Sequence, residues 1–302
     1  MIEAYPTVST QAAAPRSLRL AGVDHTARPT WKLAETVAFY RDILGLPLIH
    51  TISAQGWGPA THPDFLHFFF DSGAGSTIAF FHYLGDRQPA DMAARPGRKP
   101  WPEDHVFDAT HTAWLVETAD ELSAWRDRLA AAGVEVSVET AHEVIESIYF
   151  RDPNGYFIEI TRKLRALQPL DGVDAALTLE AAIVASQAHQ NRGSNLGAIA
   201  EVWRGKAAAV AKGRGETVGA LTMFVPDLPE FRCLPDAARG LPACRVTAPR
   251  DGYWRIDADQ AVSFDRRALG LRPAIWYGLF TGGVSGDVAF ERDRVTLTPV
   301  AV

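Results

Sequence analysis

Gly22-Val-Asp-His25-Thr26 and Ala109-Thr-His111-Thr112 each open the same run of features. The first leads into Leu33-Ala-Glu-Thr-Val-Ala-Phe-Tyr-Arg-Asp-Ile-Leu-Gly45, the second into Ala119-Asp-Glu-Leu-Ser-Ala-Trp-Arg-Asp-Arg-Leu129. In both, a His-Thr pair precedes a segment carrying Ala, an aromatic residue and Arg-Asp. Leu33, Val37, Tyr40 and Leu44 fall on one helical face, as do Leu122, Trp125 and Leu129. Each segment therefore predicts an amphipathic helix. An internal repeat of this kind constrains the fold more than any single element does.

Outward from the helices, short runs read as strands. In the first copy they are 46–51, 65–71 and 77–83; in the second, 134–140, 144–151 and 156–162. Gly73-Ala-Gly75 and Asp152-Pro-Asn-Gly155 supply turns between them. The order is βαβββ twice, an α+β arrangement. Between the copies, 84–108 holds Pro89, Pro96, Pro100 and Pro102 and reads as a long connecting loop.

After Lys163 the character changes. Residues 171–213 are Ala-rich with helical spacing, interrupted near Asn191-Arg-Gly-Ser194, and 253–256, 274–280 and 295–299 read as strands. Eight of the nine histidines precede residue 143, and only His189 follows. The expected organisation is an N-terminal tail (1–17), a paired-module domain (18–165) that carries the chemistry, and a smaller α+β C-terminal domain (166–302) without a motif. At 302 residues the chain has room for two such domains.

The formal net charge of -6 and the lack of a long basic cluster argue against nucleic acid or an anionic membrane as partner. No apolar run approaches a membrane span, and 1–17 lacks the apolar core of a signal peptide. Cys233 and Cys244 stand alone, without His or Cys at zinc-ligand spacing, and read as thiols in a reducing compartment. The expectation is a cytoplasmic protein.

Side chains alternate across a strand, so one position per strand can point into a shared concave face. The repeat offers His25 and His111 on matching strands. The run Tyr-Phe-Ile-Glu159-Ile offers a carboxylate among apolar neighbours, where a bare charge is costly unless a cation or partner claims it. Two His and one carboxylate form the facial triad that leaves positions open on Fe(II). A structural His at a strand end and a solvated Glu are the plain alternatives for each residue taken singly.

With these residues on paired βαβββ modules, the sequence resembles the vicinal-oxygen-chelate superfamily of glyoxalases, bleomycin-resistance proteins and dioxygenases. Thr140-Ala-His142, five residues, then Ile148-Tyr149-Phe-Arg-Asp152-Pro153-Asn-Gly155-Tyr-Phe-Ile-Glu159 is similar to the signature of type I extradiol dioxygenases. The resemblance covers about residues 18 to 163. It implies that His25, His111 and Glu159 hold Fe(II), or alternatively Mn(II) or another divalent metal, beside a small aromatic substrate and O2. It implies that His142 bonds a substrate hydroxyl or oxygen species and that Tyr149 donates to the deprotonated substrate oxygen. In one respect the sequence departs from that signature. Ser76 stands where extradiol enzymes carry an acid–base His, and His67 is the expected substitute, with His62 and His82 as further candidates. Ala79 replaces the fourth metal-binding carboxylate of glyoxalase-like members. The leading expectation is an Fe(II)-dependent extradiol dioxygenase. The alternatives are another divalent-metal enzyme of the superfamily (isomerase, lyase or transferase) and a non-catalytic ligand-binding protein. A homodimer is compatible with all three.

Overall fold

The structure is a computed structural model that describes residues 22–56, 62–85, 87–94 and 104–300. The expected tail (1–17) and three of the loop prolines lie outside the described residues. The chain divides into two compact units. One holds the described residues up to Thr140 together with Ile145–Leu164; the other holds Ala141–Val144 and Arg165 onward.

In the first unit each half of the repeat forms one four-stranded sheet. The first half runs β1 (His25–Pro29), α1 (Leu33–Val37), β2 (Leu48–Ala54), β3 (Phe65–Gly73) and β4 (Ser76–Tyr83). Two short helices, α2 (Ala90–Ala94) and α3 (Asp104–Asp108), stand in the expected loop. The second half runs β5 (Thr112–Val116), α4 (Ala119–Ala131), β6 (Thr140–Ala141), β7 (Ile145–Arg151) and β8 (Phe157–Lys163). The spatial orders are β1-β4-β3-β2 and β5-β8-β7-β6, with β1 parallel to β4 and β5 parallel to β8. The two halves therefore share one topology, as the repeat requires.

Alternation along the strands sorts the residues. Phe68, Phe70, Ile78 and Phe80 of the first sheet and Ile148, Phe150, Ile158 and Ile160 of the second are buried in one core with Phe39, Tyr40, Leu122 and Leu129 of the helical segments. Neighbouring positions such as His67, Phe69, Tyr149 and Glu159 consequently lie on the opposite sheet faces. After α1 the helix continues to Ile43 in π geometry, and Gly45 reverses the chain at φ +74°. The buried pair Phe39–Tyr40 lies in that wider turn.

The turn at Asp152 joins the halves. Asp152 is 2% exposed. Its Oδ1 accepts the backbone N–H groups of Asn154 and Tyr156, and Oδ2 accepts the Tyr40 hydroxyl at 3.1 Å. Asn154 in turn bonds the hydroxyls of Thr30 and Thr36.

One expected strand, 134–140, reduces to a single bridge at Val136 and the two-residue β6. The cause is Ser137, whose side-chain oxygen takes the Tyr149 N–H that a continuing strand's carbonyl would accept.

The second unit opens with α5 (Pro169–Gln190) and α6 (Ile199–Gly213). There follow β9 (Thr222–Pro226), α7 (Cys233–Ala238), β10 (Cys244–Arg250), β11 (Tyr253–Ala258), β12 (Val262–Asp265), α8 (Pro273–Tyr277), β13 (Asp287–Phe290) and β14 (Arg294–Thr298). They form two three-stranded sheets, β10-β11-β9 and β12-β14-β13. The segment 274–280, expected as a strand, begins instead as a short helix. Pro273 at its first turn fixes φ for a helical start, and Trp276 buries its side chain completely. Lys206 of α6 is also fully buried, donating to Asp174 Oδ1 (2.6 Å) and Thr178 Oγ1 (2.6 Å) of α5. The Tyr253 hydroxyl bonds the same Asp174 oxygen at 2.8 Å. No helix among the described residues is long and apolar enough to cross a membrane.

Candidate metal centre

Tyr149 lies directly opposite Glu159 across the β7–β8 ladder, and Ala113 lies opposite it on β5. Opposed residues share a sheet face, so Tyr149, Glu159 and His111, two residues before Ala113, fall on one side. There Glu159 Oε2 stands 3.0 Å from His111 Nε2. The other oxygen, Oε1, accepts a short hydrogen bond from Ser147 and a long one, 3.4 Å, from the Tyr149 hydroxyl. Phe157 completes the surround, stacked on Tyr149 at 5.3 Å and edge-on to His111 at 5.9 Å. Burial pushes the Tyr149 hydroxyl above its ordinary pKa, opposed by Ser147 and reinforced by the Glu159 charge. It is therefore a donor at neutral pH.

The protonation pattern of the pair tests whether a metal fits. His111 Nδ1 lies 2.7 Å from the Asp108 carbonyl oxygen, which can only accept. Nδ1 therefore carries a hydrogen, while Nε2 faces Glu159 Oε2, where a second hydrogen makes an ion pair and its absence leaves a lone pair. Two acceptors at 3.0 Å repel unless a cation lies between them. A proton would serve, and so would a metal ion. A ring nitrogen and a carboxylate oxygen are donor types that a divalent cation accepts, and here there are two of them.

The other expected site residues have contacts of their own. His25 starts β1 on the first sheet, 2.7 Å from Asp24 and edge-on to Phe69. Among the described residues no three His, Cys, Asp or Glu side chains gather as a metal set, so one chain brings together His111 and Glu159 without His25. His67 is buried on the first sheet, stacked on Phe81 at 3.7 Å, with Nδ1 3.1 Å from the Phe80 carbonyl oxygen. His142 follows β6 in the stretch Ala141–Val144 that groups with the second unit. Sequence reasoning missed Ser147, although it precedes Tyr149 by two residues and so shares its face. A cavity of about 610 Å3 in this unit is lined by residues that include Leu46, Thr77, Ala113, Trp114, Trp125 and Ile160. The His111–Glu159 pair is not part of its lining.

Residues 22–160 match the family model of the Glyoxalase/Bleomycin resistance protein/Dioxygenase superfamily. The chain therefore carries a domain of that superfamily, and residues after 160 lie outside the match. The fold is similar to a glyoxylase/bleomycin resistance protein/dioxygenase domain from Frankia sp. EAN1pec. The identity is 21%, covering 49% of this chain and 96% of that one, with TM-score 0.36. A glyoxalase family protein from Bacillus cereus is similar at 19% identity, covering 50% and 100%, with TM-score 0.38. A lactoylglutathione lyase from Agrobacterium tumefaciens is similar at 19%, covering 47% and 94%, with TM-score 0.32. The search of curated proteins returned no match.

Proposed function

We propose that the first unit is a divalent-metal enzyme whose ion is held by His111 Nε2 and Glu159 Oε2 and receives a substrate through two vicinal oxygens. The observation that carries this reading is the facing of His111 Nε2 and Glu159 Oε2 at 3.0 Å, with the Nδ1 hydrogen committed to Asp108. Bound there, the metal would supply Lewis acidity and a template for the reactants. The protein's own groups do the rest. Ser147 and Tyr149 hold Oε1 and leave Oε2 for the ion. Phe157 shields one side of His111 from water.

Two ligands hold a metal poorly, and we assign the third to His25 of a second copy in a homodimer. His25 begins an edge strand with its side chain 45% exposed, so another molecule can reach it. Loss of metal and of dimer mass together in His25→Ala supports this arrangement. Full metal content in a monomeric His25→Ala protein overturns it.

The finer proposal is Fe(II)-dependent extradiol cleavage of a catecholic substrate with O2. Tyr149 beside Glu159 favours it, because a neutral phenol there can donate to a bound substrate oxygen. A second reading, isomerase, lyase or transferase chemistry, is favoured by the position of His67. Its imidazole is engaged by a backbone carbonyl in the first sheet, and Ser76 donates to the Val23 carbonyl. Metal analysis with an oxygen electrode and a panel of catechols decides. Iron content with oxygen uptake supports the extradiol reading, metal without uptake the second, and a metal-free protein overturns both.

A further inference from the structure

His111 stands one residue before β5, outside the ladder that pairs Thr112 with Ile158. Strand pairing alone does not fix its ring. Besides Glu159 and Phe157, the ring meets the Asp108 carbonyl, and Asp108 closes the five-residue helix α3. So short a helix has little stability of its own. Asp108 is instead gripped from β7. Arg151 Nη1 donates to its Oδ1 at 2.9 Å and Nη2 to its Oδ2 at 2.8 Å, with both side chains 22% exposed. The guanidinium is itself set twice over. Nη1 also donates to the Gly155 carbonyl at 3.0 Å, and the group lies over the Phe157 ring at 5.3 Å. A continuous path therefore runs from the Asp152 turn through Arg151 and Asp108 to His111.

We infer that the Arg151–Asp108 bridge is a positioning device that selects the Nδ1–H tautomer of His111 and so keeps Nε2 open as a metal ligand. Its functional meaning rests on the metal centre proposed above, but the tautomer itself is a property of the metal-free protein. The two tautomers have opposite consequences. With the hydrogen on Nε2, the ring would donate to Glu159 Oε2 and satisfy that carboxylate, with no lone pair left for an ion. With the hydrogen on Nδ1, the lone pair and the carboxylate oxygen point at one place. The Asp108 carbonyl at 2.7 Å favours the hydrogen on Nδ1, against the Glu159 carboxylate, which favours it on Nε2. A planar, two-pronged guanidinium fixes the orientation of a carboxylate, whereas an ammonium fixes only a distance. That explains why an Arg fills this position. Arg151 and Asp108 act through His111.

The test uses full-length protein with 15N-labelled histidine, stripped of metal. Long-range proton–nitrogen correlation spectra report each imidazole's tautomer, and His111→Gln identifies the signal. The wild type should show Nδ1–H at His111. Arg151→Met should move His111 toward Nε2–H and weaken Zn(II) binding about tenfold to a hundredfold, the usual cost of losing a partner that orients a ligand. Asp108→Asn keeps the backbone carbonyl but weakens the grip of Arg151. It should give the same shift, and it replaces Arg151→Met if that variant fails to fold by circular dichroism. A folded variant with wild-type tautomer and zinc affinity overturns the inference. A tautomer shift in a protein whose wild type takes up no zinc sustains the bridge while removing the metal proposal.

Discussion

Glu159 is 4% exposed, yet its two oxygens meet different company. Oε1 is fixed by hydroxyls, while Oε2 faces the ring nitrogen Nε2 of His111. Removing that nitrogen should release the ion, so His111→Ala is expected to lose most bound metal by plasma emission. Tyr149→Phe should retain metal and lower kcat about tenfold, the worth of one hydrogen bond to a charged group. Undiminished turnover would make that hydroxyl structural. For His67 the geometry forecasts a different outcome. His67→Gln removes a carbonyl bond and a stacked ring, and should cost about 1–2 kcal/mol in urea unfolding while the folded protein turns over normally. Burial holds the His67 imidazole below its usual pKa. The Phe80 carbonyl opposes that shift, and the His25 and His50 charges add to it. The unfolded chain therefore binds the proton first as pH falls. The stability is complete above about pH 6.5 and is lost as pH drops through the folded value. His67→Gln should flatten that acid limb.

The Asp152 turn was readable as a turn, because Asp-Pro-x-Gly is turn chemistry wherever it occurs. That it also ties two modules together was not readable, since Tyr40, Thr30 and Thr36 lie more than a hundred residues away. Asp152→Ala should leave two buried N–H groups and the Tyr40 hydroxyl without their acceptor, lowering stability by roughly 3 kcal/mol or more. A loss under 1 kcal/mol would mean that water replaces the carboxylate. The helices were legible from their apolar period, and α4 adds a capping box between Thr118 and Glu121. The strand expected at 134–140 failed for the converse reason. Its apolar–polar alternation is correct, but a serine side chain competes for the ladder.

Across the molecule, local pattern set which face of its strand each residue occupies, and that was enough to place Glu159 and Tyr149 together. It could not set where one sheet stands relative to the other, and His25 lies edge-on to Phe69 of its own sheet. In the second unit no chemical motif marks the sequence, yet its interior is as definite as the first. Lys206 and Asp174 form a buried ion pair with Tyr253 as third member. Lys206→Ala should destabilise by about 3–5 kcal/mol because it strands the Asp174 charge. The double change Lys206→Met with Asp174→Leu should recover most of that loss. Equal destabilisation by the single and double variants would show that packing, not the stranded charge, dominates.

The complete burial of Lys206 gives the chain an internal clock. An amine with no surface cannot meet an acylating reagent, so Lys32, Lys163 and Lys212 will be tagged by an activated ester while Lys206 stays blank in mass spectra. It becomes reactive only when α5 and α6 separate. The rate at which this one lysine acquires a tag therefore times the opening of the second unit, without a probe having to be introduced.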